Sequence, residues 1–174
     1  MCSSDLGGGL GIHALQIAVA LGSRVLAVTT SPDKLGRFAP LGAEEVLHTD
    51  ELDFSEMVLA LTEDLGADVV IDTVGSVLFP SSWRSLAQFG RLVLLGEVAG
   101  KPVELNLAEI IFRDAQVLGS SGVSRSVIEQ VADMVSNGQV KPVVGGSMPL
   151  EEAARAFDLL SGRSVLGRLV LTAR

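Results

Sequence analysis

Short runs of β-branched and aliphatic residues alternate along the chain with segments whose apolar residues recur at helical spacing. The predicted strands cover residues 25–29, 46–47, 69–73, 92–95 and 117–118. Strands that alternate with helices in this way are typical of a parallel sheet covered by helices. The pattern therefore predicts an α/β fold with a doubly wound parallel sheet.

The helical segments have recognisable starts and apolar faces. The first, residues 12–21, is apolar on most sides, as expected of a helix buried between the sheet and other protein. A second helix is predicted to start at Ser31-Pro32-Asp33, where the serine is the N-cap and the proline occupies the first turn. Further helices are predicted at residues 54–64, 80–88 and 126–136, the last with an apolar face of Val127, Val131, Met134 and Val135.

A glycine-rich turn leads directly into the first of these helices. Glycines at the start of a helix allow the backbone to approach a dinucleotide pyrophosphate closely and offer it amide donors. The predicted strand at residues 25–29 ends about 20 residues later, where a second strand should meet the adenosine ribose. We therefore predict that the pyrophosphate lies at Gly8, Gly9, Leu10 and Gly11.

The residues before this turn lack the β-branched apolar run of a buried parallel strand. We expect the sheet to lack its first, central strand, and residues 1–6 to be a non-native head such as a translated sequencing-adapter end. A genuine divergent start is the alternative. Because the neighbouring strands would lose a shared partner, the isolated chain is expected to be poorly stable.

Composition narrows the class of protein. The 174 residues are 48% hydrophobic and 20% charged, which is ordinary for one soluble globular domain. The formal net charge of -8 argues against nucleic acid or an anionic membrane as a partner, since both would repel the chain. The single cysteine, Cys2, excludes an internal disulfide, and no apolar run reaches the roughly 18 residues that span a bilayer. We expect a cytoplasmic protein.

Five motifs, taken in order, closely resemble the medium-chain dehydrogenase/reductase superfamily, and more narrowly its zinc-type alcohol dehydrogenase and quinone reductase branches. They are Gly8-Gly9-Leu10-Gly11, Ser31-Pro32-Asp33-Lys34-Leu35, Leu41-Gly42-Ala43-Glu44-Glu45-Val46, Asp68-Val69-Val70-Ile71-Asp72-Thr73-Val74-Gly75 and Gly90-Arg91-Leu92-Val93-Leu94-Leu95-Gly96. The resemblance runs from about Gly7 to the end of the chain. It implies an oxidoreductase that transfers a hydride between nicotinamide and a small-molecule substrate, either a carbonyl or an activated alkene.

The resemblance also implies a missing part. In this superfamily the dinucleotide-binding domain follows a catalytic domain that holds the substrate and, in many members, zinc. Residues 7–140 are then the dinucleotide-binding domain, and residues 141–174 return towards the absent catalytic domain. The apolar stretches 143–149 and 166–172 should be partly exposed, and the helix between them should pack as a lid on the same boundary through Leu150, Ala153, Ala154, Phe157 and Leu160. Any zinc would be bound by the missing part, and the isolated chain should bind cofactor without catalysis.

Residues at the ends of strands bear on the choice of cofactor. A carboxylate after the second strand suits NAD(H) and repels the 2′-phosphate of NADP(H). This edge carries Thr29, Thr30 and Ser31, with Lys34 one turn later, so NADP(H) is favoured over NAD(H). The alternative interpretation of Lys34 is an exposed helix charge without a ligand. Quinone reductases of the superfamily often place a tyrosine after the third strand, where this chain has Thr49, and one expected phosphate contact is thereby lost.

The remaining cofactor contacts are assigned by resemblance. Thr73, Val74 and Gly75 are expected along the adenosine and ribose path. The nicotinamide is expected to be bordered by Gly96, Glu97, Val98, Ser120, Ser121 and Gly122. The alternative is that these glycines only make turns.

No catalytic or metal-binding residue is assigned in this chain. His13 is expected to pack, His48 to lie in a loop and Asp72 to orient a loop by hydrogen bonding. Two separated histidines and one cysteine supply no metal-ligand cluster.

Other classes of protein fit less well. Without a tyrosine the chain cannot supply the tyrosine–lysine pair of short-chain dehydrogenases, and a methyltransferase would usually carry an acid where Thr29 and Thr30 stand. A non-catalytic dinucleotide-binding module is the alternative function. For the parent protein, the resemblance suggests a homodimer through the edge strand, to which residues 115–119 could contribute.

Overall fold

Six parallel strands form the main sheet of the computed structural model, which describes residues 2–3, 7–48, 53–162 and 165–173. They lie in the order β3-β2-β1-β4-β5-β6, the strand order of Rossmann-type sheets, so the predicted α/β fold is confirmed. The strands are β1 (Cys2–Ser3), β2 (Leu26–Thr29), β3 (Glu45–His48), β4 (Ala67–Asp72), β5 (Leu86–Leu94) and β6 (Gln116–Gly119).

The expectation of a sheet without its first strand was wrong. β1 occupies the central place, where Cys2 and Ser3 pair in parallel with Leu26 and Ala27 of β2 on one side and with β4 on the other. Parallel pairing uses backbone N–H and C=O groups, so it can form without the β-branched residues that the sequence pattern requires. The described part of this strand is two residues long, whereas β4 has six. The rest of the predicted non-native head, residue 1 and residues 4–6, lies outside the described residues.

The helices follow the predicted positions closely, with two exceptions. They are α1 (Gly11–Ala20), α2 (Ser55–Leu61), α3 (Phe79–Arg84), α4 (Leu107–Arg113), α5 (Arg125–Ser136) and α6 (Ala153–Ser161). The helix predicted at Ser31 is instead a pair of 3₁₀ segments, Pro32–Arg37 and Ala39–Leu41, because Gly36 and Pro40 interrupt regular helix. The unpredicted α4 is capped by Asn106, whose side-chain oxygen accepts from the Ala108 N–H at 3.0 Å.

The core lies on both faces of the sheet, as the alternation of side chains along β2 requires. Val25 and Ala27 pack in one cluster with α1 and Phe38, while Leu26 and Val28 pack in a larger cluster on the opposite face. That second cluster also contains residues of α2, α3 and the strands β3 to β5, namely Leu47, Val58, Val70, Phe79, Trp83 and Leu92. Helices therefore cover both faces of β2, as in a doubly wound sheet.

The C-terminal part forms a separate two-stranded parallel sheet of β7 (Val144–Pro149) and β8 (Arg168–Thr172). Most residues of both strands are exposed or half-buried, which confirms the expected partial exposure. Of the described residues of α6 only Ala156 is buried, and Phe157 is 69% exposed. The predicted packing of this helix against a further domain stays a prediction.

Of the six helices in the described ranges, none is both long enough and apolar enough to cross a membrane.

Candidate functional site

The glycine turn immediately precedes α1, the helix that follows the central strand β1. The Ile12 N–H donates to the Gly8 carbonyl at 3.2 Å, and the Ala14 N–H donates to the Leu10 carbonyl at 3.0 Å. The N-cap residue, Leu10, has no side-chain oxygen, so it leaves the first-turn amides to backbone partners or to a ligand. A Cβ on Gly8 would meet no atom within 4 Å, whereas Gly11 is buried in the helix. The Gly8 backbone is thus open to close approach.

Two cationic side chains lie against this turn. A Cβ on Gly7 would lie 2.7 Å from both Cδ and Nζ of Lys34, and a Cβ on Gly9 would overlap Cδ and Nε of Arg168. Only glycine therefore leaves room for these side chains in their present places. Lys34 is 8% exposed, so it is not the exposed charge of the alternative interpretation; that it holds a ligand stays a prediction.

A cavity of about 270 Å³ opens beside these two cations. Its lining includes Gly8, Gly9, Ser31, Lys34 and Arg168, together with apolar residues from the C-terminal part, namely Leu160, Val165 and Leu169. The overall charge of -8 would repel an anion, so two cations beside helix-start amides make this a locally favourable place for phosphate. The residues of this cavity fit the phosphates of a dinucleotide.

Of the cofactor-binding residues predicted at the end of β2, some line the cavity and others are buried. Ser31 and Lys34 line the cavity, and Thr30 is half-buried. Thr29 is fully buried, and its Oγ1 accepts from the Ser31 N–H at 3.1 Å. Thr29 therefore shapes the turn that presents Ser31. Thr49, the position of the expected tyrosine, lies outside the described residues.

A second cavity, of about 570 Å³, lies at the ends of β4, β5 and β6. Of the residues predicted near the nicotinamide, it is lined by Gly96, Glu97, Ser120 and Ser121, and Gly75 lines it as well. Thr73, Val74, Val98 and Gly122 lie in the same three loops but outside this lining. The Val98 N–H donates to the Val74 carbonyl at 3.0 Å, which joins the loops after β4 and β5.

The side chain of Asp72 fixes the loop after β4 by accepting hydrogen bonds. Its side chain is fully buried, and its Oδ1 accepts from the N–H groups of Val74 and Gly75, both at 2.8 Å. Its Oδ2 accepts from the Ser82 hydroxyl at 2.8 Å. The expectation that Asp72 orients a loop by hydrogen bonding is confirmed.

Glu97 joins the loop after β5 to the loop after β4. Its Oε2 accepts from the Ser76 N–H and its Oε1 from the Ser76 hydroxyl, both at 2.8 Å. Oε1 also accepts from the N–H groups of Ala99 at 2.9 Å and Gly100 at 2.8 Å. These bonds, led by the Ser76 N–H, lower the pKa of Glu97 from 4.5 to about 2. The carboxylate is therefore a fixed anion that organises both loops rather than a proton donor at neutral pH.

The described residues do not form a metal site. No group of three or more His, Cys, Asp and Glu side chains within them could hold a metal ion. They do not fit a zinc ion, whose structural and catalytic sites need three or four such ligands. Both nitrogens of His13 face backbone groups, those of Gly9 and Val143, and His48 lies in β3 rather than in the predicted loop because that strand extends beyond residues 46–47.

Sequence reasoning missed Arg168. This residue opens β8, in the segment that the resemblance assigned to the missing domain, yet its side chain lies against Gly9. The Gly167 N–H donates to the Gly7 carbonyl at 3.3 Å, and Gly8 and Gly167 form a parallel bridge. Arg168 reaches the glycine turn only because the chain folds back to it. In the sequence, a glycine and an arginine before an apolar run did not indicate a binding residue.

Known proteins resemble this chain in sequence. Residues 9–137 match the family described as zinc-binding dehydrogenase. The chain is 37% identical over 169 residues to acryloyl-coenzyme A reductase of Metallosphaera sedula, covering 95% of this chain and 48% of that protein.

Two solved structures show the same likeness in three dimensions. An NAD-dependent alcohol dehydrogenase has a TM-score of 0.91 and 36% identity, covering 98% of this chain and 50% of that one. Quinone oxidoreductase of Escherichia coli complexed with NADPH has a TM-score of 0.85 and 25% identity, covering 98% of this chain and 56% of that one.

This chain therefore spans about half the length of the relatives it matches. The family match covers most of the chain, including the glycine turn from Gly9 onwards and the strands β2 to β6 that carry the candidate cofactor loops. The chain belongs to the zinc-binding dehydrogenase family of the medium-chain dehydrogenase/reductase superfamily.

Proposed function

We propose that this chain is the dinucleotide-binding half of an oxidoreductase that transfers a hydride between a nicotinamide cofactor and a carbonyl or activated alkene. The observation that carries the proposal is the glycine turn with Lys34 and Arg168 packed against it beside an open cavity. The names of the relatives, an acryloyl-coenzyme A reductase, an alcohol dehydrogenase and a quinone oxidoreductase, support this range of substrates.

The phosphates are held at the first cavity in this proposal. Gly8 and Gly9 allow the backbone to approach the pyrophosphate, and the N-terminal turn of α1 offers amide donors. Arg168 supplies a planar fork of donors beside Gly9, which suits a phosphate oxygen pair. Lys34 lines the same cavity beside Ser31, and in this proposal it faces the 2′-phosphate rather than the pyrophosphate.

NADP(H) is the cofactor that this edge favours. Ser31 and Lys34 line the same cavity at the end of β2, where a 2′-phosphate would leave the adenosine ribose. The low exposure of Lys34 strengthens its interaction with an anion, because less water screens the charge.

The nicotinamide half lies at the second cavity in this proposal, where Gly75, Gly96, Glu97, Ser120 and Ser121 converge. When bound, the nicotinamide ring supplies the hydride at its C4 atom. This chain contributes the position of the ring, through loops that Asp72 and Glu97 hold in place. The substrate and the exclusion of water depend on residues beyond this chain, so the isolated chain binds the cofactor without turnover.

The same proposal includes a homodimer of the longer parent protein, formed through β6. Every residue of β6 is exposed, and the strand lies at the edge of the six-stranded sheet. An exposed edge offers unpaired backbone groups to a second copy of the strand.

The test measures binding of NADPH and NADH to the 174-residue chain by isothermal titration calorimetry, together with substrate-dependent NADPH oxidation. Lys34→Glu is expected to weaken NADPH binding by about 10- to 100-fold, because a hydrogen bond to a charged group contributes roughly 1.5–3 kcal/mol. NADH binding should be nearly unchanged. The matched control is Arg125→Glu, which makes the same change of charge on the exposed helix α5.

Two results would contradict the proposal in different places. If neither dinucleotide binds to the unsubstituted chain, the cofactor site itself is refuted. If Lys34→Glu weakens NADH and NADPH equally while circular dichroism shows a folded chain, the role of Lys34 in selecting NADP(H) is wrong. Oxidation of NADPH by the isolated chain would show that it needs no further domain for catalysis.

A further inference from the structure

A continuous series of contacts joins the glycine turn to Arg168 through the side chain of His13. The His13 Nδ1 atom lies 2.5 Å from the Gly9 carbonyl oxygen, and its Nε2 atom accepts from the Val143 N–H at 3.1 Å. An acceptor at Nε2 requires the neutral imidazole whose proton sits on Nδ1. His13 thus donates to the turn and accepts from the C-terminal segment at the same time.

The series continues from Val143 to Arg168 and back to the turn. The Arg168 N–H donates to the Val143 carbonyl at 2.9 Å. The Arg168 side chain lies against Gly9, where a Cβ would overlap its Cδ and Nε atoms. Gly9, His13, Val143 and Arg168 therefore form a closed ring of contacts, of which Gly9 and Arg168 line the phosphate cavity.

We infer that His13 is a positioning residue, which holds the Arg168 guanidinium over the phosphate-binding turn by fixing the backbone of Val143. This inference rests on the proposed function of the turn. Both strands of the small β7–β8 sheet are mostly exposed, so the core constrains Arg168 little. Without the imidazole, the Val143 N–H loses its acceptor and the segment that anchors Arg168 can shift. Binding a phosphate must then also order the arginine, which lowers affinity.

The chain offers a matched control one helical turn along α1. The Gln16 Nε2 donates to the Lys141 carbonyl at 3.0 Å, and the Lys141 N–H donates to Gln16 Oε1 at 2.8 Å. Gln16 therefore binds the same segment at Lys141, two residues before Val143. Its two bonds to Lys141 are not part of the ring of contacts that contains His13 and Arg168. Gln16→Ala should cost stability as His13→Ala does, but it should not act through Arg168.

The experiment is a double-mutant cycle on NADPH binding by the 174-residue chain. We expect His13→Ala to raise the Kd for NADPH by about tenfold, as for the loss of one well-placed hydrogen bond to an ordered site. Arg168→Ala should raise it at least as much, and the double variant should be no worse than Arg168→Ala alone. His13→Gln, whose amide offers one donor and one acceptor, should recover part of the affinity. Gln16→Ala should have the same small effect with and without Arg168.

The inference is overturned if His13→Ala weakens NADPH binding by the same factor in the presence and absence of Arg168, because the imidazole would then act on the fold alone. It is equally overturned if Gln16→Ala shows the coupling and His13→Ala does not. Should His13→Ala not fold, His13→Leu, which keeps bulk without polar atoms, takes its place in the cycle. If the unsubstituted chain fails to bind NADPH, the proposed function fails instead, and the two failures are therefore distinguishable.

Discussion

Replacing Asp72 by alanine should strongly destabilise the chain, because three donors within the described ranges converge on this buried carboxylate. They are the N–H groups of Val74 and Gly75 and the hydroxyl of Ser82, each at 2.8 Å. Asp72 itself is 0% exposed, so its removal leaves these donors beside a methyl group with little access to water. The loop after β4 would lose its support.

The expected loss can be worked from these three bonds. A hydrogen bond to a charged group contributes roughly 1.5–3 kcal/mol, so three give roughly 5–9 kcal/mol. Removing the carboxylate also removes the cost of burying a charge, and water can enter part of the space, so we expect a net loss of about 3–5 kcal/mol in the free energy of unfolding. For a chain of this size that corresponds to a melting temperature lowered by about 6–20 °C.

Urea unfolding measures this loss, followed by far-UV circular dichroism and by the fluorescence of Trp83, the only tryptophan and 4% exposed. Asp72→Asn keeps an oxygen for the two N–H groups and should lose roughly half as much. Asp68→Ala, at an exposed position of the same strand, should change stability by less than about 0.5 kcal/mol. A loss below about 1 kcal/mol for Asp72→Ala would refute the reasoning, as would an equal loss for Asp68→Ala.

Two further predictions concern the other ordered carboxylates. Glu97→Gln should weaken binding of NADPH but not of 2′,5′-ADP, which lacks the nicotinamide, because Glu97 organises only the loops of the second cavity; calorimetry showing equal weakening would contradict this. Burial alone would raise the pKa of Asp53, but hydrogen bonds from Ser55, Ser81 and Arg84 lower it from 3.8 to about 2, and that of Glu97 falls from 4.5 to about 2. Since both pKa values are lower in the folded state, their stabilisation is complete above about pH 4.5 and is lost as the pH falls through 2. The urea midpoint should therefore drop between pH 5 and pH 2, and less steeply in Asp53→Asn; an unchanged slope would argue against this account.

The elements that could be predicted from sequence are those whose burial produces a local pattern of apolar residues. The predicted strand at residues 25–29 is β2 (Leu26–Thr29), all of whose residues are buried, so a continuous apolar run was a sufficient signal. The glycine turn was found for a different reason, because glycines at the start of a helix suit close approach to a pyrophosphate; a Cβ on Gly8 would meet no atom within 4 Å.

The elements that could not be predicted depend on contacts distant in sequence or on the backbone alone. β1 pairs through backbone groups, so its residue types carry no strand signal. α4 exposes Ile111 and Phe112 by 71% and 79% and packs the partly buried Ile110 against the core, so its apolar residues do not mark one buried face. The predicted helix at residues 80–88 ends at Arg84 because β5 begins at Leu86, a boundary that the sheet sets.

Arg168 shows how the C-terminal segment takes part in the proposed cofactor site. The sequence predicted a boundary near residue 140, yet His13 and Gln16 of α1 bind the backbone of Val143 and Lys141 across it. Without the return segment the proposed phosphate cavity would keep Lys34 but lose Arg168 and the rest of its lining from Leu160 onwards. In the function proposed, the return segment therefore completes the phosphate site, and a phosphate ligand would in turn hold that segment against α1.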